Sequence, residues 1–245
     1  MGELYFFNPF KLRKKQLLRW LILKKVILVL SLSLFCLLTA VEKNAFNFQQ
    51  YIDTYSNYNV MEITGKSLNE LGNITKDLLD YLKGKVGIQV LESNFNIKEI
   101  WHMKDVRELF RKGFILQYIC IVLSISIIIL FVVRGEKNIL GMFLYKSLFI
   151  NWILIGVIVI MIYFDFSKYF TYFHYVFFKN NLWQLDPQRD LLIQLFPEEF
   201  FINITINIIL SFLSFVAIIQ SIGYFIARER WRENEKSFKL FKRKS

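Results

Sequence analysis

Apolar and charged residues are sharply segregated along this chain. Crossing a bilayer takes ~20 predominantly apolar residues in one helix. Four runs without a formal charge approach or exceed that length: residues 26–41, 113–133, 147–164 and 200–227. The first run extends to about residue 21 if Lys24 and Lys25 place their ammonium groups among the lipid headgroups. Backbone groups in hydrocarbon must be paired within their own segment, so each run is predicted to be a transmembrane helix.

The segment at residues 42–112 is too long for a connector and too short for a large domain. A helix is predicted from leucines that recur on one face: Leu68, Leu71, Leu78 and Leu82. Ser67 and Glu70 have the spacing of a capping box at its start, and Gly84 is a natural stop. The segment is therefore predicted to form a small, mostly helical cap.

The end of the cap leads into the second apolar run. The sequence "GIQVL", residues 87–91, is predicted to form a short strand. Asn96 and Glu99 repeat the capping-box spacing, so a helix is predicted to begin near Ile97 and to run toward the membrane. Glu99 is accordingly assigned to capping this helix rather than to catalysis.

Positive charge is concentrated in three of the segments outside the apolar runs. Residues 1–25, 134–146 and 228–245 carry net charges of +6, +2 and +5, whereas residues 42–112 are neutral and residues 165–201 carry −2. Basic residues stay on the cytoplasmic side of membranes, so both termini are predicted to be cytoplasmic. Topology is a sufficient explanation of the net charge of +11, and nucleic-acid binding is not expected.

Together these patterns predict an all-α membrane protein with four transmembrane helices and a small, mostly helical extracytoplasmic cap. The predicted segments are a basic cytoplasmic arm with the first transmembrane helix (1–41), the extracytoplasmic cap (42–112), the second helix (113–133), a cytoplasmic link (134–146), the third helix (147–166), an aromatic extracytoplasmic loop with a short interfacial helix (167–199), the fourth helix (200–227) and a basic cytoplasmic tail (228–245). The first helix is interpreted as retained, because "LTAVEKNA" is a poor cleavage site for a signal peptide. Cys36 and Cys120 lie within apolar runs and are assigned to packing.

The chain has only two histidines, and each lies beside an apolar run. His102, in "IKEIWHMKDVRELF", precedes the second run, and His174, in "YFHYVFFKNNLW", follows the third. Both are therefore predicted to lie at the outer membrane interface. Asp105, three residues after His102, either bonds an imidazole N–H or only faces solvent. A lone interfacial histidine is usually structural, whereas two at one depth raise the expectation of a functional role to the level of the structural one.

The region around His174 is densely aromatic, which suits an interfacial belt or the wall of a water-poor cleft. The sequence "LDPQRDLL" predicts a short interfacial helix with Asp186 as N-cap and Pro187 at its first position. Asn203 and Asn207 lie one turn apart in the fourth helix. They line a cavity or bond another helix, and helix packing is the favoured interpretation.

Motifs for the common catalytic sites are missing from the sequence. It contains no GxSxG elbow, phosphate-binding glycine loop or nucleotide fingerprint. His102, His174 and Asp105 are conceivable as a two-histidine, one-carboxylate metal site, although no local spacing such as HExxH supports one. Any catalysis is therefore expected to rest on imidazoles, and no metal is predicted.

At "HMKDV" and "FHYVFFKNNLWQLDP" the sequence resembles the bacterial lipoprotein intramolecular transacylases. The resemblance covers most of the chain. It implies transfer of one acyl chain within a diacylglyceryl lipoprotein, from the central (sn-2) glyceryl ester to the α-amine of the N-terminal cysteine. The product would be an N-acyl, S-monoacylglyceryl lipoprotein, the lyso form. The resemblance also implies that His102 and His174 are the catalytic residues.

Conversion of an ester to an amide is downhill, so no cofactor is expected for this reaction. The implied partners are the lipoprotein substrate and membrane lipid of the bacterial cytoplasmic membrane, and the oligomeric state stays open. Two sets of supporting residues are predicted: a water-excluding wall of Trp101, Phe173, Phe177 and Trp183, and polar groups at Asp105, Asn203 and Asn207. The alternative functions are a pH-responsive membrane sensor or accessory subunit, and a metal-dependent membrane hydrolase.

Overall fold

The computed structural model describes the backbone of residues 9–242 and the side chains of residues 19–228. This part of the chain is helical and contains no strand. Its helices are α1 (Pro9–Ala45), α2 (Phe48–Asn57), α3 (Val60–Thr64), α4 (Leu68–Leu82), α5 (Ile97–Val133), α6 (Lys137–Ser147), α7 (Phe149–Phe177), α8 (Leu191–Leu195) and α9 (Glu198–Lys242), with a 3₁₀ turn at Ile88–Leu91 between α4 and α5.

Four helical stretches are long and apolar enough to cross a membrane: Arg19–Ala45, Ile97–Val133, Lys137–Phe177 and Glu198–Arg228. The prediction of an all-α membrane protein with four transmembrane helices is therefore confirmed. α5 has 37 residues. A helix of that length extends about 55 Å, whereas the hydrocarbon core is ~30 Å thick. Only part of α5 fits within hydrocarbon, and His102 lies in its charged first third, before the charge-free residues 113–133.

α7 contains a break at Asp165, where the charge-free part of the helix ends. Asp165 has φ −166° and ψ 85°, which is extended backbone rather than helix. Its Oδ1 accepts a hydrogen bond from Lys168 N at 3.0 Å and so caps the helical segment that follows. His174 therefore lies on a second helical segment that ends at Phe177, where an irregular aromatic loop was predicted. Seven of the twelve residues at 166–177 are aromatic. This density was interpreted as an interfacial belt, although Phe166, Phe170, Phe173 and Phe177 recur at helical spacing.

Residues 36–118 and 150–215 form one compact unit that contains the cap. Its core is apolar and includes the buried residues Tyr55, Leu71, Leu78, Leu91 and Leu195. At the start of α4, Ser67 Oγ accepts from Glu70 N and Glu70 Oε2 accepts from Ser67 N, which confirms the predicted capping box.

Two local predictions within this unit are wrong. Residues 88–91 form a 3₁₀ turn and not a strand, because the described cap offers no neighbouring strand and Glu92 N bonds locally to Gln89 O. The short helix α8 begins after Asp190, not after Asp186. Asp186 does cap a turn, since its Oδ1 accepts from Gln188 N, but the backbone then becomes extended at Asp190.

Within the described residues, 9–35, 119–149 and 216–242 contribute to a second compact unit. Its apolar cluster packs around Leu28, Phe131 and Leu140. The sequence predicted only a cytoplasmic link between the second and third runs, whereas much of this link is helical in α6. Cys120 of this unit and Cys36 of the cap-containing unit are both buried and free, as expected for packing residues.

α6 and α9 cross closely at Gly141 and Gly223. A Cβ atom on Gly141 would lie 2.8 Å from Gly223 O, and one on Gly223 would lie 2.9 Å from Gly141 O. Both contacts are with backbone, so the helices would have to separate to admit a methyl group. Small residues at helix crossings in membranes permit this close approach.

We predict that Gly141→Ala and Gly223→Ala will each reduce the free energy of unfolding by about 1–3 kcal/mol, the usual cost of forcing extra volume into a packed interface. The matched control is Gly156→Ala, because nothing lies within 4 Å of a Cβ at that position. Thermal unfolding in detergent micelles measures the effect. Equal melting temperatures for Gly141→Ala and Gly156→Ala would contradict the close crossing.

Candidate functional site

The two histidines of the chain lie side by side in the cap-containing unit. His102 is on α5 and is 7% exposed, and His174 is half-buried on the last segment of α7. Their ring centres are 6.3 Å apart, and the ring planes are inclined by 34°. Both lie outside the charge-free membrane segments predicted from the sequence. The fold thus places two imidazoles from distant parts of the chain within reach of one small chemical group.

The hydrogen bond of His174 defines which ring nitrogen can accept a proton. His174 Nδ1 lies 2.7 Å from Phe170 O, one turn earlier on the same helix. A carbonyl oxygen only accepts, so Nδ1 carries the hydrogen and donates it. In the neutral ring, Nε2 then holds a free lone pair. His174 is therefore oriented as a proton acceptor.

His102 has a different environment. Its Nδ1 is buried and has no hydrogen-bond partner among the described residues. Burial, with a smaller effect of repulsion from His174, lowers the pKa of His102 to about 4, and the charge of Asp105 opposes both effects. Burial also lowers the pKa of His174, against the opposing hydrogen bond to Phe170 O. Both imidazoles are therefore neutral at pH 7, and a proton on one disfavours a proton on the other.

Aromatic rings enclose the imidazole pair. Phe178 has its ring centre 5.2 Å from that of His102 and 5.7 Å from that of His174. Trp183 stacks on His174 at 4.7 Å with a 26° inclination. Phe170 and Phe173 meet His174 edge-on, at 4.6 and 5.6 Å. The surroundings are largely apolar, which limits the access of water to the rings.

Three of the four residues predicted for the aromatic wall form ring contacts at His174, directly or through a neighbour. Trp183 and Phe173 contact His174, and Phe177 packs on Phe173 at 4.7 Å. Trp101 makes no ring contact with either imidazole among the described residues, and Lys104 Nζ lies over its ring at 4.4 Å. The contacts of Trp101 therefore give no support to its predicted role in the wall.

Two residues of the wall, Phe170 and Phe178, were not predicted. They precede and follow His174 by one helical turn, so a helix at residues 166–177 would have identified them. Their helical spacing from His174 was visible in the sequence, but a loop was predicted there and so the spacing was not used.

Asp105 makes no described hydrogen bond to the His102 imidazole, which was one of the two alternatives considered from the sequence. Its Oδ2 accepts a hydrogen bond of 2.8 Å from Asn180 Nδ2, in the chain that follows α7. The carboxylate of Asp105, which helical spacing places near His102, is therefore bonded to Asn180 from another part of the chain. Asp105 acts on His102 only through its charge, and it helps to tie α5 to the loop that carries Trp183.

Glu99 makes the most buried of these ties between α5 and the chain after α7. It is 1% exposed. Its Oε2 accepts from Asn96 N at 2.7 Å, which confirms its predicted capping role, and its Oε1 accepts from Leu192 N at 2.6 Å. Asn96 Nδ2 in turn donates to Asp190 Oδ1 at 2.7 Å. One carboxylate therefore serves the first turns of both α5 and α8.

Asn203 and Asn207 lie in a different part of the same unit. Asn203 Nδ2 donates to Tyr58 Oη at 2.8 Å, and Asn207 O accepts from Asn44 Nδ2 at 3.3 Å. Both asparagines line a cavity of about 210 Å³ between α2 and the start of α9. No described hydrogen bond joins them to the imidazole pair, so their role as supporting residues remains a prediction.

Within the described part of the chain, no three His, Cys, Asp or Glu side chains are placed to hold a metal ion. His102, His174 and Asp105 therefore do not form the metal-binding set that was considered from the sequence. The geometry instead offers two neutral imidazoles, one of them oriented, beside aromatic rings. Such a pair can accept and return a proton.

Known proteins resemble this chain in sequence and in fold. A family model described as lipoprotein intramolecular transacylase Lit matches residues 26–201. An in meso structure of the membrane integral lipoprotein intramolecular transacylase Lit from Bacillus cereus has a TM-score of 0.77 at 21% identity, over 86% of this chain and 97% of that chain. No curated protein sequence matches the chain significantly.

Two further structures of the Bacillus cereus transacylase contain a substituted histidine. The histidine-to-arginine mutant has a TM-score of 0.76 at 19% identity, over 90% of this chain and 99% of that chain. The histidine-to-alanine mutant has a TM-score of 0.73 at 20% identity, over 86% of this chain and 94% of that chain. These structures share the fold over nearly their whole length.

We predict that both imidazoles titrate below 6.5, their ordinary pKa, with His102 at about 4. Protein labelled in histidine has only two imidazole signals, so a pH titration by NMR in micelles resolves them. His174→Asn assigns the signals and should raise the pKa of His102, because it removes a repelling charge. A midpoint at or above 6.5 for either ring would show that it is not buried as described.

We predict that Glu99→Ala will loosen the chain between α7 and α8, because it leaves buried N–H groups unpaired at a cost of about 1–3 kcal/mol. Hydrogen exchange at the Leu192 amide should accelerate. Glu92→Ala, at an exposed position before α5, is the control and should leave that amide unchanged. An unaltered exchange rate of the Leu192 amide in Glu99→Ala would contradict the hydrogen bond between Glu99 and Leu192.

Proposed function

The chain belongs to the lipoprotein intramolecular transacylase family, and on that premise we propose that it converts diacylglyceryl lipoproteins to the lyso form by histidine acid/base catalysis. The acyl chain of the sn-2 glyceryl ester moves to the α-amine of the N-terminal cysteine. Family membership makes the chain a membrane-embedded acyltransferase, which sets aside a non-catalytic sensor. The observation that supports histidine catalysis is the meeting of the chain's two imidazoles, 6.3 Å apart, among aromatic rings.

His174 is assigned the role of proton acceptor. The substrate α-amine has a pKa of about 7.7–8, so much of it is protonated at neutral pH and cannot attack. His174 is neutral, and its Nε2 lone pair is free because Nδ1 donates to Phe170 O. This arrangement suits removal of a proton from the amine as it attacks.

His102 is assigned delivery of a proton to the departing glyceryl oxygen. His102 is neutral at pH 7, so it first accepts the proton that the attacking amine releases through His174. Because its pKa is low, the protonated ring is a strong acid and gives that proton readily to the alkoxide. The amine nitrogen bonds to the ester carbonyl carbon, the bond from that carbon to the glyceryl oxygen breaks, and the imidazoles carry the protons. One amine and one ester become one amide and one hydroxyl, and no atom is lost.

Proximity supplies much of the rate in this scheme. The amine and the ester belong to one molecule, and holding reacting groups together lowers barriers by ~7–11 kcal/mol in favourable cases. Water would compete with the amine for the ester, so its exclusion decides between transfer and hydrolysis. Trp183, Phe173 and Phe178 are the rings assigned to this exclusion.

The proposed location follows from the substrate and from the charge distribution. Acyl chains lie in the bilayer and the cysteine amine lies at its surface, so a catalyst belongs at that border. The basic segments at residues 1–25, 134–146 and 228–245 favour cytoplasmic termini. The histidines would then act at the extracytoplasmic face of a bacterial cytoplasmic membrane.

We predict that His102→Asn and His174→Asn will each reduce kcat by about 10²–10⁴-fold, the usual contribution of a general acid or base. The assay uses pure protein and a synthetic diacylated lipopeptide in the presence of a chelator. Transfer conserves mass, so fragmentation by mass spectrometry must locate the acyl chain on the amine, whereas hydrolysis would lose it. Lys76→Asn, on the exposed side of α4, is the control and should keep the wild-type rate.

Three outcomes would contradict the proposal. Full activity in both histidine variants would refute histidine catalysis. Loss of the acyl chain from the wild-type product would indicate a hydrolase. Failure of the wild type in the presence of chelator, with recovery on adding a divalent metal, would indicate a metal-dependent reaction. Normal membrane insertion and purification of each variant are checked by size exclusion.

A further inference from the structure

Trp183 has a buried hydrogen-bond donor that no described residue accepts. Its indole Nε1 is one of three buried polar side-chain atoms in the described residues without a partner; the others are Ser33 Oγ and His102 Nδ1. Two of the three therefore belong to residues in contact with His174. Buried donors in native structures are nearly always satisfied, so an exception calls for an explanation.

Apart from His102, the other buried polar side chains described in the same unit have partners. Hydrogen bonds are made by Asn44, Thr54, Thr75, Glu99 and Asp190. The absence of an acceptor for Trp183 is therefore not a general looseness of packing. An acceptor on a bound substrate would satisfy the Trp183 N–H donor.

Packing holds the Trp183 ring in a defined plane. One face stacks on His174 at 4.7 Å, and Tyr175 meets the ring at 5.2 Å with an 88° inclination. The N–H of an indole lies in the ring plane and only donates. It therefore points along the edge of the stack, beside the imidazole that is assigned to remove the proton from the amine.

The proposed reaction needs a donor of this kind. When the amine attacks, the carbonyl π pair moves onto oxygen, and the negative charge there must be stabilised. The N–H at His174 Nδ1 is not available for this purpose, because it donates to Phe170 O. A preorganised donor that needs no proton transfer suits this position.

We propose that Trp183 is a catalytic residue whose Nε1–H donates a hydrogen bond to the carbonyl oxygen of the scissile ester. This inference rests on the proposed acyl transfer. The bond strengthens as the carbonyl oxygen becomes an oxyanion. It weakens again when the C=O bond re-forms and the bond to the glyceryl oxygen breaks, and Nε1 keeps its hydrogen throughout.

The test replaces the N–H without changing the ring. β-(3-Benzothienyl)alanine at position 183 substitutes sulfur for N–H and preserves the size and stacking of the indole, and Trp183→Phe is a second variant. For the synthetic diacylated lipopeptide, both should lower kcat by about 10²–10³-fold with little change in KM, as expected for loss of one oxyanion donor. The same two substitutions at Trp20, which is 64% exposed, should leave kcat unchanged.

A measurement on the wild type does not depend on folding of the variants. Binding of a phosphonate analogue of the lipopeptide ester should move the Trp183 indole N–H resonance downfield, and Trp183→Phe identifies that resonance. Wild-type kcat with the benzothienyl isostere would overturn the proposal and assign Trp183 to packing. So would a rise in KM at constant kcat, or an unmoved N–H resonance with bound phosphonate. A wild type that forms no lyso product would instead refute the proposed function.

Discussion

Hydrogen bonding by the buried Glu99 carboxylate is the interaction on which the candidate site depends. His102 and His174 are far apart in sequence, and helix formation alone does not bring them together. Glu99 accepts main-chain N–H groups from the start of α5 and from α8, and Asn96 and Asp190 extend the contact. A carboxylate buried in this way is satisfied only when both partners are present. The histidine-bearing helix and the chain after His174 are therefore ordered together.

The helical fold could be predicted from sequence because hydrocarbon permits few alternatives. A charge-free run of sufficient length must pair its own backbone, and this reasoning located all four membrane-crossing stretches. The same reasoning fails where water or another segment can pair the backbone. Residues 88–91 and the turn at Asp186 show this, because local bonds and tertiary contacts decided their structure. The helix after Asp165 was missed because the density of aromatic residues at 166–177 was interpreted as an interfacial belt and not as a helical face.

The two histidines of the candidate site could be predicted from the sequence, but several of the contacts around them could not. Two histidines bordering apolar runs on one predicted side pointed to a common location, and they do meet. The partner of Asp105 was not predictable, because Asn180 lies in a loop whose path depends on tertiary packing. Trp101 and Trp183 are both aromatic and both near a histidine in sequence. Only the fold distinguishes the exposed ring from the stacked one.

The break at Asp165 also determines how far His174 lies from the end of the charge-free part of its helix. An unbroken helix rises 1.5 Å per residue, so residue 174 would lie about 14 Å beyond residue 165 along a straight axis. Glyceryl esters lie just below the headgroups, and a ring raised by that distance would meet the polypeptide of a lipoprotein rather than its lipid. An extended residue at position 165 removes the requirement for a straight axis. In the proposed reaction, this single change of backbone direction would let the imidazole lie at the depth of the ester carbonyl.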